Sequence, residues 1–483
     1  MMNKTTMRNL CILFNIMLFL GFLPAAASQQ STGSPPLDWS AFRQQVLTNH
    51  PLARQADLYR DLAAAALLRA RGGFDPKAYT DYSAKEFDRK NYYQYGEAGV
   101  KWPTWAGMEV KGAYNWVSGE FLNPERTLPS IGQAILGIEW ALGQGLLFDE
   151  RRAELRQSRI GLEQGEAERA AARNDLLFEA AKTYWTWVVA DNQLQIYIAA
   201  LEQAQVRLIG LRESVRQGDK PAIDTTETLL QVQTRLLDVN FAQLDRQNAA
   251  LTLVTFLWQP DQQPTFPEML PPAPTLLTIS LEVQNTNTLD LVAQARQQHP
   301  ELRLYAAKIR SLEVERRLKN EKRKPQLDLT YNLLGEGWTF FPTATAEGPR
   351  MLANDIKWGL NFSYPLLNRK ARGDWQMTVI KLAQTDQDLR QKRQEVEIKV
   401  RQYANELANY NQQLPLFRDF TANYRLLLDA EIEKFRQGES SIFLINAREQ
   451  RWLDAQIKYL KLLSEYRKAE AGLLWAAGRL GDF

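Results

Sequence analysis

Two segments alternate strictly between apolar and polar residues. Leu327, Leu329, Tyr331 and Leu333 oppose Gln326, Asp328, Thr330 and Asn332. Ile356, Trp358, Leu360, Phe362 and Tyr364 oppose Asp355, Lys357, Gly359, Asn361 and Ser363. The same period recurs earlier, in Ala134, Leu136, Ile138, Trp140 and Leu142, and again in Met108, Val110, Tyr114 and Trp116. A period of two over about 10 residues predicts strands with unlike faces, either lipid-facing barrel strands or a half-buried soluble sheet.

Elsewhere the period changes. Residues from about Leu147 to Arg216 are rich in Ala, Leu, Gln and charge, and predict one helix of about 70 residues, roughly 105 Å long. Leu194, Ile198, Leu201, Leu208 and Val215 follow a 3.5-residue spacing. Thr226, Leu230, Gln233, Leu237, Asn240, Leu244, Gln247 and Leu251 do so too, as do Ile445, Trp452, Ala455, Tyr459, Leu462, Tyr466, Ala469 and Leu473. This spacing predicts helices packed as coiled coils. Pro415 falls inside the second long helical pattern and should kink it.

The pattern is written twice. His50 and His299, the chain's two histidines, each precede a proline, in "HPLARQADL" and "HPELRLYAA". The helical stretches after them run to Pro76 and Pro325. Arg151 and Arg372 follow comparable apolar segments, and Arg-Gln-Gly ends a long helical pattern at Gly218 and again at Gly438. The spacing between equivalent landmarks drops from 249 to 220, so the first copy is longer by about 28 residues, inserted around "NYYQYGEAGVKWPTWAGMEVKGAYNWVSGE". The insertion is expected to add a hairpin or to enlarge the outer end of the first copy. The proline-rich "QPDQQPTFPEMLPPAPTLL" joins the copies. The division expected is a leader over 1–27, a first repeat over 28–258, a linker over 259–286 and a second repeat over 287–483.

Composition removes several function classes. The leader has a basic flank at Lys4 and Arg8, an apolar run from Leu10 to Leu23 and small residues Ala25 to Ala27, the form of a secretory signal peptide. The chain's only cysteine, Cys11, lies inside it, so no disulfide or thiol chemistry is expected afterwards. With 59 basic against 56 acidic residues, the chain shows no nucleic-acid-binding field. Two histidines do not supply a metal site with its three or four ligands, and no phosphate-binding loop is present. No cofactor and no catalytic residues are expected. After the leader no apolar run reaches the length of a transmembrane helix. Any membrane passage must therefore be made by strands. Four strands cannot close a membrane barrel, so the barrel must be shared between chains.

Signal peptide, duplicated order of helix, strands, long helix, tip and returning helix, and a linker between copies: together these resemble the TolC-like outer-membrane efflux proteins. The resemblance rests on the two His-Pro segments, the apolar stretches before Arg151 and Arg372, and the tips "VRQGDKPAIDTTET" and "FRQGESSIFLINARE". It implies a mainly α-helical protein with a membrane β-barrel. Duplicated long-helix hairpins and four strands per chain, or six with an inserted hairpin, would form a homotrimer. Its 12-stranded-type barrel would sit in outer-membrane lipid, continued by a helical tunnel across the periplasm of a Gram-negative bacterium. The implied function is a passive exit duct for efflux or type I export, partnered by a periplasmic adaptor and an inner-membrane pump. The alternative is a periplasmic coiled-coil scaffold without channel activity. The resemblance places Arg216, Gln217, Gly218, Arg436, Gln437 and Gly438 at an adaptor-docking surface. Asp224 would be a tunnel constriction, or simply an acidic residue in a helix's first turn. Trp102, Trp105, Trp116, Trp338 and Trp358 would suit a membrane-interface belt, or ordinary packing. Gly337, Trp338, Phe340 and Pro342 fall in an expected exposed loop.

Overall fold

A computed structural model describes residues 35–124, 127–261, 263–278, 287–338 and 355–481. The leader, Phe340 and Pro342 lie outside them, as does the linker between 279 and 286.

The helices come in matched sets. Helix α1 (Trp39–Asn49) and α2 (Pro51–Gly72) have 11 and 22 residues, and so do α5 (Thr288–Gln298) and α6 (Pro300–Glu321). The long helices are α3 (Glu150–Arg216), of 67 residues, and α7 (Arg369–Arg436), of 68. Their returning partners are α4 (Ala222–Val254), of 33, and α8 (Ile442–Ala476), of 35. At ~1.5 Å per residue the long pair are each roughly 100 Å long. Pro415 lies inside α7, which runs through it unbroken.

Each histidine makes the bend between its two short helices. His50 Nδ1 accepts a hydrogen bond from Leu52 N (3.1 Å), and His299 Nδ1 accepts one from Glu301 N (3.3 Å). These are N-caps, and the following proline occupies the first helical position, where its missing N–H costs nothing. Both rings are buried. Desolvation lowers the pKa of each, that of His299 to about 4, which keeps Nδ1 free to accept.

Six strands, β1 (Lys77–Phe87), β2 (Lys90–Pro103), β3 (Met108–Ser118), β4 (Gln133–Ala141), β5 (Gln326–Glu336) and β6 (Ile356–Ser363), form one antiparallel sheet in chain order. The inserted segment is therefore a hairpin, β2 and β3, built into the sheet. Its connecting residues 104–107 lie at the end nearest the helices, so it widens the sheet, and the first copy has two outer connections, between β1 and β2 and between β3 and β4. The alternation expected of four segments holds on β3 to β6, and the pairing carries the same two faces onto β1 and β2. One face carries Tyr79, Asp81, Glu97, Lys101, Lys111, Glu139, Asp328 and Lys357. The other carries Tyr82, Val100, Trp102, Val110, Trp116, Leu136, Ile138, Leu329, Trp358, Leu360 and Phe362.

The main core lies midway along the long helices. Phe42, Tyr184, Trp187, Leu253, Leu276 and Leu460 are buried there. Two buried asparagines fix chain segments to it. Asn192 donates to the carbonyl of Pro274 (2.9 Å) and accepts from Leu276 N (3.0 Å), pinning the linker to α3. Asn174 donates to the carbonyl of Trp475 (2.9 Å) and accepts from Leu480 N (3.0 Å), pinning the end of α8. Around the lower bundle the helices neighbour one another in the order α4, α3, α8, α7. Beside the upper halves of α3 and α7 lie α2 and α6.

One predicted seam faces the other way. The α8 positions are inward: Ile445, Ala455, Tyr466, Ala469 and Leu473 are buried. On α4, however, Leu230, Leu237, Leu244 and Leu251 are each more than half exposed, while Thr228, Arg235 and Ala242 are buried. Small and polar residues thus face the chain's own helices, and the leucine stripe faces out. On α3, Leu194 and Leu208 are buried but Ile198 is exposed.

Candidate functional site

Both long helices end in the same way. At the first tip Gly218, at φ +85°, sends its N–H to Val215 O (3.0 Å), and Asp219 N bonds Ser214 O (2.9 Å). At the second, Gly438, at φ +82°, bonds Phe435 O (3.1 Å), and Glu439 N bonds Lys434 O (2.9 Å). This double bond pattern closes a helix through one left-handed residue, where glycine avoids the Cβ clash. The side chains repeat as well. Glu213 accepts from Arg216 (2.8 Å) and Gln217 (2.9 Å); Glu433 accepts from Arg436 (3.5 Å) and Gln437 (3.0 Å). All six predicted tip residues are exposed and lie at the ends of the hairpins.

The two tips touch. Lys220 Nζ sits 4.4 Å from the centre of the Phe435 ring, a cation–π contact across the hairpins. Leu211, Leu428, Ile442 and Ile445 form a small buried cluster just behind. The return turns differ. Pro221 precedes α4 with no side-chain cap, whereas Ser441 caps α8 by accepting from Leu444 N (3.4 Å). Asp224 lies half-buried in the first turn of α4, next to the uncapped end. This position suits the helix dipole.

Sequence reasoning missed a buried ionic layer behind the tips. Arg207 of α3 makes paired bonds to Glu449 of α8 (2.8 and 3.2 Å) and a longer one to Asn446 (3.3 Å). Arg235 of α4, almost fully buried, bonds Asp238 (2.8 Å) and Gln450 of α8 (2.6 Å). Apart from the local Arg235–Asp238 pair, the partners are more than 200 residues apart in sequence, so no local pattern joins them. The available signal was a charged residue, Arg235, in step with the small residues Thr228 and Ala242.

The predicted tryptophans occupy both ends of the sheet, and all are exposed. Trp102 is near the helix end of β2, and Trp105 lies in the adjoining turn, stacked 4.4 Å from Phe74. Trp116, Trp338 and Trp358 lie toward the far end, with Trp338 stacked 4.7 Å from Tyr114. Trp116 covers Gly96 so closely that a Cβ there would come within 2.1 Å of the indole. On the polar face Glu97 bonds Lys111 (2.6 Å), Tyr79 (2.5 Å) and Tyr95 (3.2 Å), tying β1, β2 and β3 together. Among the described residues no cluster of three or more His, Cys, Asp or Glu could hold a metal, and no helix is long and apolar enough to cross a membrane.

Residues 291–479 match the outer membrane efflux protein family. No curated protein matches the chain by sequence. Solved structures match its fold along nearly its whole length. The CmeC outer membrane channel of Campylobacter jejuni is 15% identical, with a TM-score of 0.63 over 92% of this chain and 86% of that one. The outer membrane protein VceC of Vibrio cholerae is 12% identical, with a TM-score of 0.64 over 91% and 96%. The open-state MtrE outer membrane channel of Neisseria gonorrhoeae is 14% identical, with a TM-score of 0.64 over 91% and 88%. Residues 291–479 are thus similar to the outer membrane efflux protein family, and the chain as a whole has the fold of these outer-membrane channels.

Proposed function

We propose that this chain is one protomer of an outer-membrane exit duct, serving an efflux or type I export assembly. The observation that carries the reading is the sheet. Its apolar face is broad, exposed and rimmed by tryptophans, and its opposite face is charged. In water such a face would be an aggregation surface. Against lipid it is the outer wall of a barrel, with the charged face lining a wet lumen. The sheet joins directly to two helices long enough to cross a periplasm. Three copies would close the tube, with the repeats taken as 28–258 and 287–483, the linker as 259–286, and the leader removed.

Conduction in this reading is passive, and the driving force comes from an inner-membrane pump. Arg216, Gln217, Gly218, Arg436, Gln437 and Gly438 then meet a periplasmic adaptor. Two like tips in each of three chains give a ring of six similar contacts. Asp224, just past the first tip, would then narrow the tunnel mouth by charge; in the second repeat the comparable position near Leu444 and Asn446 has no carboxylate.

The test is to express the full chain and separate the membranes. Recovery from the outer membrane as a threefold particle that conducts ions in planar bilayers is the expected result. A water-soluble monomer in the periplasm would support the scaffold instead and end the channel reading.

A further inference from the structure

We propose that the barrel has 18 strands, closed by pairing of β1 in one protomer with β6 in the next, so that its bore is set by the inserted hairpin. This rests on the trimeric duct proposed above. Three copies of a six-stranded sheet give 18 strands, against the 12 of a four-stranded protomer.

The hairpin is a full member of the wall. Its register runs without a break from Gln94↔Ser118 to Pro103↔Glu109, and β3 pairs with β4 from Met108↔Trp140 to Asn115↔Gln133. Strands β2 and β3 have 14 and 11 residues, enough for the about 9–11 that a tilted membrane strand needs. They continue the same two faces. Val100 and Trp116 are exposed on the apolar side, and Glu97 and Lys111 are paired on the charged side. The Glu97 cluster also reaches Tyr79, so β1 is held to the hairpin and cannot be counted apart from it.

The edges name the occupant. Strand β1 is exposed along most of its length and β6 along all of it, and among the described residues each has a strand on one side only. In lipid an open edge leaves a row of backbone groups without hydrogen-bond partners, which no spanning structure tolerates. Strand β1 runs away from the helices and β6 runs back, so joining them continues the antiparallel order. Below, the exposed leucines of α4 lie on one flank, and Met377 and Ile380 of α7 are exposed on the other. A second copy of this chain meets both edges at once. Barrel diameter grows roughly linearly with strand number, so the bore is about half again that of 12 strands, in the range where barrels leave an open aqueous channel. The outlet therefore does not sort cargo by size; that falls to the helical tube and its tips.

Single-particle imaging of the full-length protein in lipid nanodiscs counts the strands. Eighteen is expected, and a threefold particle with 12 overturns the inference while leaving the duct intact. A particle without threefold symmetry overturns both. Cysteine pairs give a second readout, since Cys11 is the chain's only native cysteine. Thr80→Cys or Tyr82→Cys combined with Leu360→Cys or Phe362→Cys should yield covalently linked trimers on oxidation in membranes. Linking through Val110→Cys and Leu360→Cys, with the β1 pairs silent, would place β3 at the edge and exclude the β1–β2 pair from the wall.

Discussion

At each tip one glutamate, Glu213 or Glu433, gathers the arginine and glutamine beside it, and the next residue is a left-handed glycine. Nothing lies within 4 Å of where a Cβ would stand on Gly218 or Gly438. A substitution there thus meets a backbone penalty and no clash. Gly218→Ala or Gly438→Ala should cost about 1–2 kcal/mol locally, read as faster amide exchange in the last helical turn. Arg216→Ala and Arg436→Ala should leave that exchange unchanged and weaken adaptor binding; unchanged binding would remove the arginines from the docking surface. The buried pair behind the tips behaves differently. Glu449→Ala strands Arg207 in a site with little water, and a loss of about 3–5 kcal/mol is expected in denaturant unfolding. Replacing both residues by methionine should restore most of it. If the double variant is as unstable as the single one, the penalty is not that of an unpaired charge.

The histidine caps give the residue scale its pH dependence. Burial lowers the pKa of His299 to about 4, while the unfolded value is about 6.5. Between those values the unfolded chain binds a proton that the folded chain refuses. Stability is therefore fully present above about pH 6.5 and is lost progressively down to about pH 4. His299→Asn keeps a capping side chain without the titration and should flatten this part of a pH–Tm profile. An unchanged slope would assign the acid sensitivity to other groups.

Among the elements, the long helices and four strands were legible because each repeats one period over many residues. Strands β1 and β2 were not. Their apolar face is built of small or mildly polar residues such as Ala78, Thr80, Gly96 and Ala98, so the contrast between faces is weak. The pairing with β3 is what reveals them. The leucine heptad of α4 was legible as a seam but not as an outward one, because period alone does not say which partner a stripe meets. Its exposure predicts a partner outside the chain. Leu237→Asp or Leu244→Asp should leave the helix content intact and shift native mass spectra from trimer toward monomer. Covering the open half of each leucine contributes on the order of 1 kcal/mol. A trimer as stable as wild type would show that the stripe lies outside the interface. The tip glycines and histidine bends were readable from sequence because proline and glycine mark them locally. The Arg207–Glu449 pair was not, since it joins positions 242 residues apart.

At the scale of the molecule, the described residues of the two repeats form helices of nearly equal length but four strands against two. The extra length therefore changes the circumference of the sheet and leaves both tips at the ends of equally long helices. The arithmetic of direction explains why it arrived as a hairpin. One added strand would emerge at the wrong end of the sheet, and α3 would have to start from its far side. Two added strands return the chain to where it left. Strand number in this architecture is thus free to change only by even steps, with girth and reach as separately adjustable dimensions. The sheet could be widened or narrowed by inserting or excising whole hairpins, with no compensating change in the long helices beneath it.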